Sequence, residues 1–217
     1  MNVQVVELSV GRERRRAAVR DAQLLNRLTL GWNVVECLVA LLAGVAAGSV
    51  SLVGFGLDSA IEVSASIILA WRLGQERRGG CMADSDRRAT RAIALSFAAL
   101  ALYVWVQGSR DLVAAHEPDV SAAGMVLTSL SVVFMPFLAR AKGRLAPVLG
   151  SQAAASEANQ TRLCALLSAV VLVGLGLNAV AHWWWADPVA ALVIGAVAAV
   201  EAVATWRAEA LADTCCG

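Results

Sequence analysis

The chain is 217 residues long, the size of one domain or at most two. Hydrophobic residues make up 59% of it and charged residues 16%, whereas a soluble globular protein has roughly 45–50% and 25%. This composition argues against an ordinary soluble enzyme. The formal net charge of +1 argues against a protein with the strong positive field that binds nucleic acid, so no nucleic-acid partner is expected.

Six apolar runs approach the length of roughly 20 residues that a helix needs to cross ~30 Å of hydrocarbon. They are Leu28 to Ala47, Ser49 to Trp71, Thr90 to Gly108, Ala122 to Leu138, Ala154 to Ala181 and Pro188 to Trp206. We therefore predict an all-α integral membrane protein, a bundle of six transmembrane helices over 28–206. A basic N-terminal tail over 1–27 and a short tail over 207–217 flank it, and no enzymatic activity is expected.

Basic residues outside these runs or at their ends predict the orientation of the bundle. All but Arg110 fall on the side of both tails and of the second and fourth connections: Arg12, Arg14, Arg15, Arg16, Arg20, Arg27, Arg72, Arg77, Arg78, Arg87, Arg88, Arg91, Arg140, Lys142, Arg144 and Arg207. By the positive-inside rule, both termini are expected in the cytoplasm and the membrane is expected to be a bacterial inner membrane. All seven tryptophans, Trp32 among them, fall near predicted helix ends, which favours the lipid headgroup level for each.

Ionisable residues inside the predicted spans point to function. Such residues are costly at membrane depth and face a partner, water or a substrate. The chain has five acids and one base in these positions: Glu36, Asp58, Glu62, Glu157, Glu201 and Arg162. One arginine cannot pair with five carboxylates, so protons, bound cations or a location at the interface must balance the rest. The first two describe a cation transporter that also exchanges protons.

The second span contains the most informative pair, Asp58 and Glu62, in GSVSLVGFGLDSAIEVSASIILAW. Their i, i+4 spacing places both carboxyls on one helix face, where a divalent cation would relieve their repulsion. Gly54 and Gly56 remove side-chain bulk, which allows another helix to approach and leaves room for an ion. The alternative is a polar packing seam with neutral acids, formed by Ser49, Ser51, Ser59, Ser64 and Ser66.

A second stripe lies in the fifth span, where Glu157, Gln160 and Cys164 share a face. Counting from the outer ends of the helices places Cys164 at nearly the depth of Glu62. Two carboxylates and a thiolate, completed by the Gln160 amide oxygen, Glu157 or water, would suit Zn²⁺, Cd²⁺ or Co²⁺ better than Mg²⁺ or Ca²⁺. Cys164 alone is equally well explained as a small hydrophobic residue.

Three further polar features carry weaker expectations. Asn33 and Glu36 are candidates for an additional metal ligand or a proton relay; alternatively, Glu36 is neutral and hydrogen-bonded to Asn33. Arg162 is expected either to pair with an acid or to extend toward the interface. Asp187, followed by Pro188, predicts the N-cap of the sixth helix.

The stretches GSVSLVGFGLDSAIE and SEANQTRLCALLS, within a six-span layout, resemble the transmembrane module of the cation diffusion facilitators, or cation efflux family. The resemblance implies export of Zn²⁺ and similar divalent ions in exchange for protons, usually by a homodimer. It implies metal ligands at Asp58 and Glu62 on the second helix and at Gln160 and Cys164 on the fifth, where the family usually has His and Asp. Because Arg207 to Gly217 alone follow the sixth span, we expect a short form without the family's cytosolic domain, dimerising through membrane helices.

The function expected from these residues and this resemblance is secondary transport. A divalent transition-metal cation such as Zn²⁺ would be exported by proton antiport, as a substrate, with no prosthetic group. The expected partners are the metal cation, protons, the lipid bilayer and a second copy of the chain. The alternative is a non-transporting membrane protein that binds or senses metal, or binds a partner, through the same bundle.

Overall fold

A computed structural model describes the backbone of residues 2–76, 83–149 and 152–212, and within them the side chains of 20–64, 66–67, 91–145, 147 and 158–207. Over these ranges the chain forms six α-helices: α1 (Asn2–Ala47), α2 (Val50–Glu76), α3 (Ala83–Ala114), α4 (Ala122–Leu149), α5 (Gln152–Ala181) and α6 (Ala186–Ala212). Short connections at 48–49, 115–121 and 182–185 join them on one side, the far side. We call the opposite side, where α1 begins and α6 ends, the terminal side. The predicted six-helix bundle is confirmed.

Long apolar stretches identify the bundle as a membrane domain. Within the described part of the chain, five helices have one: Arg20–Ala47, Arg91–Ala114, Ala122–Leu145, Ala158–Ala181 and Ala186–Arg207. The other helix, α2, has 27 residues, and its side chains from 68 onward lie outside the described ones. Large apolar side chains such as Leu42, Val113 and Val180 point outward and are 74%, 90% and 85% exposed. An outer surface of this kind is suited to lipid, and the prediction of an integral membrane protein is confirmed.

The helices extend beyond the apolar runs, and two sequence predictions need correction. The tail predicted over 1–27 is continuous with the first span, because α1 begins at Asn2. Arg140, Lys142 and Arg144, assigned to a connection, lie within α4, which ends at Leu149. Arginine, lysine, leucine and alanine are all good helix formers, so a helix does not need to end where the hydrophobic run ends.

Side chains on the far side cap two helices and join two others. The Ser49 and Ser121 hydroxyls accept hydrogen bonds from the backbone N–H groups of Leu52 and Gly124, at 3.2 and 3.1 Å, and cap α2 and α4. Asp187 lies inside the first turn of α6, so the N-cap prediction is wrong. Its buried carboxylate instead accepts hydrogen bonds from the hydroxyls of Ser49 and Ser51. The starts of α2 and α6 are thereby held together.

Glycines bring α2 close to its neighbours, as predicted for Gly54 and Gly56. A Cβ atom at Gly56 would lie 2.9 Å from Leu41 Cγ and 3.0 Å from the Leu41 backbone nitrogen, so α1 packs directly on this glycine. A Cβ atom at Gly54 would lie 2.8 Å from Val104 of α3. The close approach of other helices is confirmed. It places the polar residues of α1 beside those of α2.

Gly56→Ala is expected to destabilise the protein by about 1–3 kcal/mol, because the new methyl group would overlap the Leu41 side chain and backbone. Gly176→Ala is the matched control, since a Cβ atom there would meet nothing within 4 Å. That change is expected to leave stability unaltered or to raise it by up to about 1 kcal/mol. Thermal unfolding in detergent, followed by circular dichroism, measures both. Equal melting temperatures for the two variants would contradict the expected crowding.

Candidate cation site

Five of the predicted site residues are buried in the interior of the bundle, Asn33 among them. Asp58 and Glu62 of α2 are each 6% exposed, and Glu36 of α1 and Cys164 of α5 are each fully buried. Cys164 also belongs to an apolar core cluster that includes Phe55 and other residues from several helices. The polar residues therefore face each other within an apolar shell, as a site at membrane depth requires.

Glu36 lies at the centre of one layer of contacts. Its Oε1 atom accepts hydrogen bonds from the indole N–H of Trp32, at 2.8 Å, and from the hydroxyl of Ser131. Its Oε2 atom accepts from the Ser59 hydroxyl and the Cys164 thiol, each at 3.5 Å. One carboxylate thus joins α1 to α2, α4 and α5. The sequence placed Glu36 beside the main site, and the structure places it in contact with Cys164.

Asn33 forms a second layer with Glu62. The Asn33 amide nitrogen donates to Glu62 Oε2 at 2.7 Å, so the interpretation in which Asn33 pairs with Glu36 is wrong. Asn33 is 4% exposed, and its carbonyl oxygen has no hydrogen-bond partner among the described residues. A buried oxygen without a partner is costly and is available to a ligand.

Asp58 is buried without hydrogen bonds to any described residue, and Glu36 and Glu201 are its charged neighbours. Glu62 lies within electrostatic range of both Asp58 and Glu36. Three carboxyl groups are therefore gathered in the bundle. Bound protons or a cation would relieve their mutual repulsion.

Of the three fifth-helix candidates, Cys164 is the one that the structure places near these carboxyls. Cys164 lies within electrostatic range of Asp58, Glu62 and Glu36. Gln160 is partly buried and forms no hydrogen bond among the described side chains, and the Glu157 side chain lies outside them. Within the described part of the chain, no three His, Cys, Asp or Glu side chains are close enough to hold a metal ion as they stand. Ion binding would require these groups to move together.

The serines of the alternative packing seam differ in burial: Ser49, Ser51 and Ser59 are buried, Ser66 is half-buried and Ser64 is exposed. Ser49 and Ser51 bind Asp187 at the far side, while Ser59 donates to Glu36 and to the Phe55 carbonyl. Ser64 is exposed and donates to the carbonyl of Ala60.

Trp32 and Arg162, two residues with predicted placements, lie near the site. Trp32 was expected at the headgroup level, but its indole N–H points inward to Glu36 and its ring stacks on Phe134 at 5.5 Å. The Glu36 carboxylate lies one helical turn from Trp32 and is a strong hydrogen-bond acceptor for the indole N–H. Arg162 is exposed, with its guanidinium against Gly143 of α4, and forms no ion pair with the described residues. Of the two alternatives, pairing with an acid is not found among the described residues.

Sequence reasoning missed Lys142. This lysine is buried, at 6% exposure, and its Nζ atom lies 3.4 Å from the hydroxyl of Thr161 on α5. It is also an electrostatic neighbour of Glu62. Helical periodicity offered a signal, because Met135, Ala139 and Lys142 share one face of α4 and the first two are almost fully buried.

Residues 89–211, more than half of the chain, match the family model of the cation efflux transmembrane domain. The chain belongs to the cation efflux family. Members of this family are transporters, so the protein is an integral membrane transporter that carries a metal cation across the bilayer. A search of curated proteins found no match.

The cation efflux match begins within α3 and ends within α6. It therefore includes the fifth-helix candidates Gln160 and Cys164. Asp58 and Glu62, and Asn33 and Glu36 of α1, precede the matched range. The role of these four residues in the cation efflux protein is therefore argued from their own burial and contacts. The identity of the ion and the coupling to protons likewise rest on the chemistry of these side chains.

Proposed function

We propose that this cation efflux protein exports a divalent transition-metal cation such as Zn²⁺ in exchange for protons, and that it holds the ion between α2 and α5. The observation that carries the proposal is the burial of Asp58 and Glu62, one turn apart, within electrostatic range of Cys164. Carboxylate oxygens and a thiolate sulfur are ligands that Zn²⁺, Cd²⁺ and Co²⁺ accept, whereas sulfur disfavours Mg²⁺ and Ca²⁺.

The first helix supports the proposal with two oxygen-bearing side chains. The carbonyl oxygen of Asn33, which has no hydrogen-bond partner among the described residues, is next to Glu62, and the Glu36 carboxylate contacts Cys164. We assign these side chains to ligation or proton relay beside the α2 pair. Gln160 and Glu157 complete the proposed set from α5, one and two turns toward the terminal side from Cys164.

Proton exchange follows from the charges that the ion would meet. Metal ligands must be deprotonated, so an ion that enters a group of carboxyls and a thiol releases their protons. When the site opens to the opposite side, protons return and the ion leaves. Rocking of the helices around a site in the bundle interior would alternate the access.

The proposal includes an orientation and an assembly. The basic residues of the terminal side, including Arg20, Arg27, Arg140 and Arg144, favour placing that side in the cytoplasm of a bacterial cell. Export would then run from the terminal side to the far side. A homodimer held by membrane helices is the assembly that the family resemblance implies.

Flux in reconstituted vesicles tests the proposal. Purified protein in liposomes that enclose a metal-sensitive and a pH-sensitive dye is expected to move Zn²⁺, Cd²⁺ or Co²⁺, with protons moving the opposite way. Mg²⁺ is expected to give no flux, because it does not accept a sulfur ligand. Calorimetric titration of the same protein separates the alternatives. Binding without flux would support a metal-sensing protein, and neither binding nor flux would overturn the metal assignment.

A further inference from the structure

Lys142 is a buried base that cation binding does not explain. Its stem lies in the interface between α4 and α5, and its ammonium is 3.4 Å from the Thr161 hydroxyl. Among the side chains that the structure describes, it is the only lysine or arginine that is buried. Arg140 and Arg144, two residues before and after it on the same helix, are both exposed.

The location of Lys142 relates it to the acidic group. Thr161 and Cys164 are three residues apart and therefore share a face of α5, so the ammonium lies about one turn toward the terminal side from the thiol. Lys142 interacts electrostatically with Glu62, whose other charged neighbours, Asp58 and Glu36, are acids. The stem of lysine is flexible, and it ends in a compact positive charge with three hydrogen-bond donors.

A permanent positive charge beside a cation site affects both the empty site and the ion that enters it. It neutralises part of the negative charge when the site is empty, which makes burial of several carboxyls less costly. It repels a divalent ion that enters, and this repulsion is strong in a medium of low dielectric constant. A transporter benefits from weaker binding, because an ion held too tightly is not released.

We propose that Lys142 is a tethered counter-cation of Glu62 at the edge of the acidic group, which weakens ion binding and promotes release. This inference rests on the proposed cation site. Lys142 is a positioning residue under this proposal: it acts on the ion through charge and does not ligate it. Residues that ligate and residues that repel are then combined in one site.

Lys142→Met tests the proposal, with Arg144→Gln as the matched control. Each change removes one positive charge from α4: Lys142 is buried and interacts electrostatically with Glu62, whereas Arg144 is exposed. Calorimetric titration of the full-length protein with Zn²⁺ or Cd²⁺ is expected to show binding about tenfold or more tighter in Lys142→Met. Arg144→Gln is expected to match the wild type. In vesicles, Lys142→Met is expected to reach half-maximal flux at a lower metal concentration and to have a lower maximal flux.

Two further variants separate charge from structure. Lys142→Arg keeps the charge and is expected to bind as the wild type does. Lys142→Gln removes the charge but keeps a donor for Thr161, and is expected to reproduce the tighter binding even where Met disturbs folding. A purely structural role would weaken binding in every variant and would not raise it in any.

The outcomes distinguish this inference from the proposed function. Unchanged or weaker binding in both Lys142→Met and Lys142→Gln, with binding intact in the wild type, overturns the counter-cation and leaves the cation site standing. Binding in Lys142→Gln but not in the wild type supports the counter-cation. Absence of binding in the wild type and in all the Lys142 variants overturns both.

Discussion

Asp58→Asn is expected to abolish metal-driven proton flux in vesicles and to weaken divalent-cation binding by more than about 100-fold, because a direct ligand matters more than the outer groups that tune it. The change replaces a carboxylate by a neutral amide of the same size. Repulsion between Asp58 and its neighbours Glu36 and Glu201 is removed as well. The protein loses the charge that would attract the ion, but not the volume that packs the helix.

The fold is expected to survive this substitution. Asp58 forms no hydrogen bond with the described residues, so replacing its carboxylate breaks none among them, and the new amide N–H2 group has the nearby carboxyl oxygens as acceptors. Helical content and melting temperature, measured by circular dichroism, are expected to stay close to those of the wild type. Stability can even rise, since the amide is less costly to bury than a carboxylate.

Asp119→Asn is the control for a change of charge alone. Asp119 is exposed on the far side, where its backbone N–H donates to the Ala47 carbonyl at 2.8 Å. Its side chain is not part of the carboxyl group, so flux and binding are expected to be unaltered. Undiminished flux in Asp58→Asn, with a folded protein, would remove Asp58 from the proposed site.

The bundle and the α2 pair could be predicted because both depend on local patterns. Apolar runs of membrane-spanning length predict helices from composition, and the i, i+4 spacing of Asp58 and Glu62 fixes their common face. The small residue Gly56 also predicted a close neighbour, and Leu41 fills that position. None of these inferences requires knowledge of which helix lies beside which.

The partners of Glu36 and Asn33 depend on the rotation of α1 against α2, α4 and α5. Asn33 turns toward Glu62 and Glu36 turns toward Cys164 and Ser131, one turn apart on the same helix. Sequence spacing could place the two residues near each other, but it could not decide which acceptor each one meets. The contact between Trp32 and Glu36 is local, at i, i+4, and was missed because Trp was assigned to the headgroups.

Lys142 was missed for a different reason. The apolar run of α4 ends near Leu138, and a basic residue after it is usually solvated, so the positive-inside rule counted Lys142 with Arg140 and Arg144. The helix continues and turns this one base inward between α4 and α5. Orientation rules count charges per connection, and they do not determine the face on which each charge lies.

Cys164→Ser is expected to weaken Zn²⁺ and Cd²⁺ binding by about 10–100-fold, with the larger loss for Cd²⁺, because a hydroxyl is a poor substitute for a thiolate with soft ions. The change tests the fifth-helix position at which the resemblance implies an Asp in most family members. Cys164 is fully buried in the core cluster around Phe55 and donates to Glu36 at 3.5 Å. Serine can donate the same hydrogen bond, so folding is expected to be retained.

Cys37→Ser is the matched control, since Cys37 is the other free cysteine among the described residues and is partly exposed on α1. Titration with Co²⁺ gives a direct signal, because a Co²⁺–thiolate bond adds a charge-transfer absorption in the near ultraviolet. The wild type and Cys37→Ser are expected to show this absorption, and Cys164→Ser is expected to lose it. If Cys164 is only a small hydrophobic residue, the absorption and the Cd²⁺ affinity will be the same in all three proteins, and the ion will have to be held by oxygen ligands alone.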